Sequence, residues 1–303
     1  MRNDMETQVK TAELIERNVR LYGLDAPALT PPRQRSIRFV TAGQSHGPIT
    51  RLASPSDVGE LIKPFVFLDL ADVAPRSEPL FGFHPHSGIA TLTTVLRGGM
   101  VYEDTTGKSG TVLEGGLEWM RAGNGVWHDG GPAPGQSIRA FQLWVALPPW
   151  QENGDADSQY IEPQAVESEG PARVILGNYG RAKSAIRHAP VDINYLHVTL
   201  KDGERWTYTP PKGHDVAWLA VDAGTLDAAK TIHAGELAVF EDSEQAIELV
   251  ARGFTSFVLG SAVKHPHPLV LGRHSVHTTH AALAQGQMEI NRIGRRLRAE
   301  GRI

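Results

Sequence analysis

Three histidines in the first half of the chain have the types and spacing best suited to chemistry. His84 and His86 flank Pro85 in the segment GFHPHSG, and His128 follows after the turn Ala122–Gly125. Residues two apart in a strand project from the same face, so the imidazoles of His84 and His86 would lie side by side. A single His-x-His pair is weak evidence, but three neutral imidazoles suit Fe, Cu, Ni or Zn. Coordination positions left open would make such a site catalytic or ligand-binding.

Short apolar runs separated by glycine-rich turns are the elements that must position these histidines. In the first half they predict strands at Ser36–Thr41, Phe65–Leu70, Thr91–Leu96, Met100–Glu103, Glu118–Met120 and Ala140–Leu147. The separators, such as 97–99 and 114–116, are typical of turns. This pattern of short strands and glycine-rich turns predicts a β-sandwich or barrel. An antiparallel barrel can bring the strand of His128 beside that of His84 and His86.

A second series of strands follows a break at Pro148-Pro149 and the polar stretch 151–159. It comprises Arg173–Leu176, Asn194–Leu200, Ala217–Val221, Leu237–Phe240, Ala246–Val250 and Thr255–Leu259. The stretch Thr279–Ala299 has an apolar periodicity compatible with an amphipathic helix. The sequence therefore predicts an N-terminal extension over residues 1–35, a β-domain with the metal site over 36–150, and a second β-domain with a C-terminal helix over 151–303.

The composition excludes several classes of function. The absence of cysteine removes disulfides, thiolate metal sites and cysteine nucleophiles, so a metal must be held by histidine or carboxylate. A net charge of -4 gives no electrostatic reason to expect nucleic-acid binding. No apolar run approaches the roughly 20 residues that cross a bilayer, and Met1–Arg20 lacks the apolar core of a secretory signal. We therefore expect a cytoplasmic protein with no membrane partner. No Ser-His-Asp arrangement that would support a rival chemistry is evident.

Several blocks in the first half resemble the pirin family of bicupins. They are FVFLD (65–69), GFHPH (82–86), TVLRG (94–98), DTTG (104–107), GLEWM (116–120), AGNGVWH (122–128) and FQLWV (141–145), in the family's order. The match is weaker through the second half. The resemblance implies an all-β fold of two consecutive cupin barrels, each a double-stranded β-helix or jelly roll, followed by a C-terminal helix.

The resemblance also implies a ligand set. Pirins hold their metal with three histidines, which map onto His84, His86 and His128, and with a glutamate two residues after the third. This chain has Gly130 at that position, which cannot coordinate a metal. The adjacent Asp129 points away from the cavity in an ideal strand. We expect one divalent transition metal, Fe(II) first, with Zn, Ni, Cu or Mn as alternatives, and no catalytic residue is assigned.

Three functions stay open at this point. The first is an oxidoreductase similar to quercetin 2,3-dioxygenase, in which iron binds O₂ and a small aromatic substrate, flavonol-like or otherwise enolic or phenolic. The second is a non-catalytic, pirin-like redox sensor or regulator that binds a protein partner. The third is a degenerate cupin whose metal site is weakened by Gly130.

A second histidine cluster lies near the C-terminus. His265 and His267 repeat the His-x-His spacing, and His274, His277 and His280 follow. A second metal site there is disfavoured, because the stretch follows the last predicted strand and no third element pairs with it. Surface or core histidines are the simpler interpretation.

Overall fold

The computed structural model of the chain describes residues 34–75 and 82–303, and the predicted extension 1–35 lies almost entirely outside them. The strands of the first half are β1 (Ile37–Thr41), β2 (Gln44–His46), β3 (Ile49–Ala53), β4 (Phe65–Val73), β5 (His84–His86), β6 (Ile89–Asp104), β7 (Ser109–Leu113), β8 (Leu117–Arg121), β9 (Val126–Pro132) and β10 (Ile138–Ala146). The strands of the second half are β11 (Asp157–Ile161), β12 (Ser168–Glu169), β13 (Ala172–Leu176), β14 (Asn178–Tyr179), β15 (Ala182–Lys183), β16 (Ile193–Leu200), β17 (Arg205–Tyr208), β18 (Val216–Asp227), β19 (Thr231–His233), β20 (Leu237–Phe240), β21 (Ile247–Ala262), β22 (Val270–Leu271) and β23 (Val276–His277). The α-helices are α1 (Val58–Ile62) and α2 (His280–Ala299).

Two large antiparallel sheets organise the described residues. The first sheet runs in the order β11-β8-β6-β10-β4-β3-β2. In addition, β7 and β9 pair with the C-terminal part of β6, and β5 pairs with β9. The second runs β1-β20-β18-β21-β16-β13-β12, with β17 on β21 and β19 on β18. The predicted all-β class with a C-terminal helix is confirmed. None of the helices in the described part is long and apolar enough to cross a membrane.

The two halves exchange strands. β1 comes from the first half but pairs with β20 of the second sheet. Conversely β11, which follows the predicted break, pairs with β8 of the first sheet. The division of the chain into domains at residue 150 stays a prediction, and these exchanged strands show that neither sheet is built from one half alone.

Each predicted strand overlaps an observed one, but four of them join into two long strands, β6 and β21. In β6 the predicted turn at 97–99 is wrong, because the strand continues through it with a break in register opposite Arg139 and Ala140. Gly98 has a φ of 81°, and a Cβ there would lie 1.9 Å from the Ser137 carbonyl oxygen. The glycine therefore permits a bulge and a close backbone approach instead of a chain reversal.

Helix α2 packs against the strand that carries His128. Thr279 caps its start by accepting a hydrogen bond from the Ala282 N–H at 3.1 Å. Gly294 allows the indole of Trp127 to approach, since a Cβ there would lie 2.7 Å from the ring. The same indole donates to the Ile290 carbonyl at 2.8 Å. The helix thereby holds β9 through the side chain of Trp127, next to His128.

Candidate metal centre

Cross-strand pairing brings the three predicted ligands together. β5 and β9 are antiparallel neighbours in which His84 lies opposite His128 and His86 lies opposite Val126. The ring centroids of His84 and His128 are 4.5 Å apart, and His86 lies 5.1 Å from each of them. One potential ligand atom from each residue lies within 4.8 Å of the others. This spacing is compatible with a shared metal ion.

Backbone carbonyls orient two of the imidazoles. The Nδ1 of His84 donates to the Gly82 carbonyl at 2.8 Å, and the Nδ1 of His86 donates to the His274 carbonyl at 3.0 Å. A histidine that donates through Nδ1 carries its lone pair on Nε2, which is the usual arrangement behind a metal-ligating imidazole. The second-half segment around His274 therefore sets the tautomer of a first-half ligand.

Burial keeps these imidazoles in the form that binds metals. Desolvation is the largest cause that lowers the pKa of His84 to about 4, and the nearby His128 lowers it further. The pKa of His86 falls well below its usual range for the same two reasons in the same order. Both rings are consequently neutral at pH 7, so that a metal does not have to displace a proton from either.

His128 provides the test of whether a metal fits the site. Its side chain is 7% exposed, and neither ring nitrogen has a hydrogen-bond partner within the described part of the chain. A buried polar atom without a partner costs about 1–3 kcal/mol. A divalent cation between three imidazoles would satisfy one of these nitrogens and suits a nitrogen donor set. The residues therefore fit a transition metal held by His84, His86 and His128.

The three histidines open onto a cavity of about 590 Å³. Aromatic rings contribute much of its wall, namely Phe67, Phe83, Trp127 and Trp144. Phe67 and Trp144 stack with centroids 4.2 Å apart, and Trp144 meets His86 edge-on at 5.0 Å. The volume and the apolar walls are those of a small-molecule site.

Two residues of the second half line this cavity and were not predicted from the sequence. Arg273 and His274 face it from the segment between β22 and β23. The ring of His274 lies 6.3 Å from that of His84 and 6.2 Å from that of His86. No local sequence signal separates His274 from its neighbouring histidines, because only the return of the chain over the first sheet brings it here.

Position 130 offers no side chain to a metal, as expected of a glycine. Gly130 lines the cavity, and a Cβ there would meet the Val101 carbonyl oxygen at 3.5 Å, an ordinary contact. Asp129 lies opposite Glu103 in the β6–β9 ladder and is not among the cavity residues. Other polar residues do line the cavity, among them Gln142 and Glu118.

The C-terminal histidines lie in different surroundings. His265 and His267 have ring centroids 5.3 Å apart, and in the described residues no third ligand joins them in a metal-like group. His277 instead joins Ser87 and Glu152 in a row that sequence reasoning missed. Ser87 Oγ lies 3.0 Å from His277 Nε2, and Glu152 Oε2 lies 3.3 Å from His277 Nδ1.

This row resembles a hydrolytic triad, but it is sealed inside the protein. Ser87 is fully buried, and His277 and Glu152 are at most 3% exposed. Glu152 is also engaged by Thr278, whose N–H and hydroxyl both donate to it at 2.6 Å. A nucleophile without access to substrate performs no catalysis, so we assign the row a structural role in holding β23 against β5.

Together, the fold and the site define an all-β protein with a three-histidine pocket between barrel strands. A family model for pirin matches residues 49–145. A pirin-like protein of Caulobacter vibrioides is 31% identical over 234 residues, covering 74% of this chain and 79% of the relative. A Pseudomonas aeruginosa protein named "Putative quercetin 2,3-dioxygenase" is 30% identical over 242 residues, covering 74% of this chain and 83% of its own.

The solved structures agree with the sequence matches. The crystal structure of a quercetin 2,3-dioxygenase from Acinetobacter baumannii superposes with a TM-score of 0.77 at 26% identity. The superposition covers 86% of this chain and 98% of that one. The chain belongs to the pirin family, and its fold is the all-β cupin fold of that family with a C-terminal helix.

Proposed function

We propose that this chain is an Fe(II)-dependent dioxygenase that acts on a small enolic or phenolic aromatic substrate. The observation that carries the proposal is the convergence of His84, His86 and His128 at the wall of an aromatic-lined cavity. The pirin relatives named for quercetin 2,3-dioxygenase activity give the substrate class. The identity of the metal and the activity are parts of the proposal.

In the proposed enzyme the metal would supply the chemistry and the cavity would bind the substrate. Bound Fe(II) would supply Lewis acidity towards a substrate hydroxyl and redox chemistry towards O₂. Three protein ligands leave other coordination positions available to small molecules. The three imidazoles would hold the cation, and the backbone hydrogen bonds through Nδ1 of His84 and His86 fix the direction of Nε2 in these two rings.

The cavity walls suit a flat aromatic substrate. The indole of Trp144 and the ring of Phe67 offer faces and edges for stacking. The guanidinium of Arg51 lies 4.3 Å from the centre of the Phe67 ring and so places a positive charge beside this wall.

A non-catalytic regulator is the second candidate, and Gly130 is the observation that favours it. Without a carboxylate at this position the ligand set is neutral, so activity can be lost while metal binding persists. The regulator would use the same three histidines to sense redox state and another surface to bind a protein partner.

One experiment separates these functions. The metal-free protein is loaded anaerobically with Fe(II), its iron content is measured, and O₂ uptake is followed after addition of quercetin. The dioxygenase predicts O₂ consumption coupled to loss of the flavonol absorbance, and a His128→Ala variant as control should show neither iron retention nor uptake. Full iron occupancy without O₂ uptake would refute the dioxygenase for this substrate and favour the regulator. Failure to retain any of Fe, Zn, Ni, Cu or Mn would refute both.

A further inference from the structure

His128 is the one ligand whose Nδ1 has no backbone acceptor within the described residues. The other two imidazoles donate to carbonyl oxygens, whereas both nitrogens of His128 lack partners. The carboxylate of Glu118 lies close to this ring, with its Oε1 3.6 Å from Nδ1. That separation is about 0.4 Å beyond the range of a normal N–H···O hydrogen bond. A small side-chain movement therefore closes it.

Glu118 is itself buried and is held by a hydrogen bond. It is 3% exposed, and its Oε2 accepts a hydrogen bond from the hydroxyl of Thr93 at 2.6 Å. A carboxylate kept out of water needs hydrogen bonds or a positive partner to offset its desolvation. Thr93 occupies one oxygen, and the other points towards His128. The arrangement lacks only a positive group, which a metal-bound histidine supplies.

The register of five neighbouring strands, β3, β4, β10, β6 and β8, creates this arrangement. Thr93 lies opposite Glu118 in the β6–β8 ladder and opposite Gln142 in the β6–β10 ladder. Gln142 in turn lies opposite Asp69, and Asp69 lies opposite Arg51. We call these side chains the polar row, and its members line the cavity in the order Arg51, Asp69, Gln142, Thr93 and Glu118. The row runs across the sheet and ends beside His128.

Hydrogen-bond directions within the polar row are consistent with a charged Glu118. The hydroxyl of Thr93 lies within reach of Gln142 Oε1 at 2.8 Å as well as of Glu118, but it has only one proton. The Nε2 of Gln142 is buried and has no hydrogen-bond partner among residues 34–75 and 82–303. If the amide presents Nε2 to Thr93, both groups are satisfied: Gln142 donates to Thr93, and Thr93 donates to Glu118. Glu118 then accepts from both sides, as a carboxylate does.

We propose that Glu118 is the positioning residue of the metal centre: it accepts the Nδ1–H of His128, directs Nε2 to the metal, and supplies the negative charge that the three imidazoles lack. This inference rests on the proposed metal site and adds the group that orients its third ligand. Carboxylate–histidine–metal relays of this kind raise the basicity of the imidazole, and loss of such a partner costs about 10–100-fold in metal affinity.

Glu118→Gln tests the proposal because it keeps the shape and removes the charge. We expect the dissociation constant for Zn(II) or Co(II), measured by chelator competition, to rise by about 10–100-fold. Asp69→Asn is the matched control, since Asp69 is a second buried carboxylate of the polar row, 7% exposed and paired with Arg51. It should change the affinity far less. Equal losses in the two variants would overturn the inference, because they would reveal a general effect of cavity charge.

A second measurement reports the orientation of His128 without any metal. In the metal-free protein, nitrogen-detected NMR of the histidine rings should show His128 protonated at Nδ1, and Glu118→Gln should shift this tautomer towards protonation at Nε2. A merely structural role of Glu118 would leave the tautomer unchanged and would refute the proposal. If wild-type protein binds no metal, the proposed function and this inference both fail. If it binds metal and Glu118→Gln binds as tightly, only this inference fails.

Discussion

Placing a carboxylate at position 130 should strengthen the metal site. In β9 the residue two after His128 shares its face, and Gly130 lines the cavity. A Cβ at Gly130 would meet only ordinary contacts, at 3.5 Å from Val101 O and 3.7 Å from Met100 Sδ. Gly130→Glu therefore adds an anionic oxygen without a clash at Cβ. We expect metal affinity to rise by at least about tenfold, which corresponds to roughly 1.4 kcal/mol.

The assay for Gly130→Glu is chelator competition with Co(II) or Zn(II), and Gly130→Gln is the matched control without the charge. In the metal-free state the new carboxylate adds negative charge to the cavity that Glu118 also lines, so the thermal midpoint should fall without metal and rise with it. Glu118→Gln should also cost less in the Gly130→Glu background, because the site would no longer depend on one carboxylate. If Gly130→Glu and Gly130→Gln bind metal equally, the reasoning about the missing charge is wrong.

Three further predictions concern the site and its support. His128→Ala should lose most bound metal in elemental analysis, since two ligands remain, whereas His267→Ala should retain it. Glu152→Gln should lower the free energy of unfolding in urea by about 1–3 kcal/mol, because a neutral amide replaces the carboxylate that accepts hydrogen bonds from the Thr278 N–H and hydroxyl; an unchanged midpoint would contradict the structural role of the row. Burial, and next the charge of Arg173, lower the pKa of His197 to about 4. The unfolded chain therefore binds more protons below pH 6.5, and stability should fall as pH drops from 7 to 5, with about 2 kcal/mol from this residue. His197→Gln should show a correspondingly flatter pH dependence of unfolding.

Local sequence patterns predict the three histidines and the strands that carry them. The period of two places His84 and His86 on one face, and glycine-rich turns predict the short strands around His128. The joining of predicted strands into β6 needs more, because Gly98 supports either a turn or a bulge, and only the packing of Ser137 against it decides. Local pattern therefore gave the strands and their faces but not every connection.

Glu118 was missed because nothing nearby distinguishes it from an exposed strand residue. Leu117, Glu118, Trp119 and Met120 are all buried, so β8 shows no alternation that a sequence pattern can detect. The role of Glu118 depends on its register with Thr93 and on the position of β9, and both are tertiary facts. His274 and the row of Ser87, Glu152 and His277 were missed for the same reason, since their partners lie far away in the chain.

Although all three proposed ligands come from the first half of the chain, the geometry of the proposed centre depends on the second half. The acceptor for His86 Nδ1 is the carbonyl of His274, and Ser87 beside it bridges to Ser275. Trp127, the neighbour of His128, donates to Ile290 of α2. Both ligand strands, β5 and β9, are thus held from outside by residues of the C-terminal segment. Since ligand directions must be fixed closely for tight binding, the His-x-His motif alone does not define this metal centre. In the arrangement we propose, Glu118 of the polar row orients His128, and the returning C-terminal segment holds His86 and Trp127.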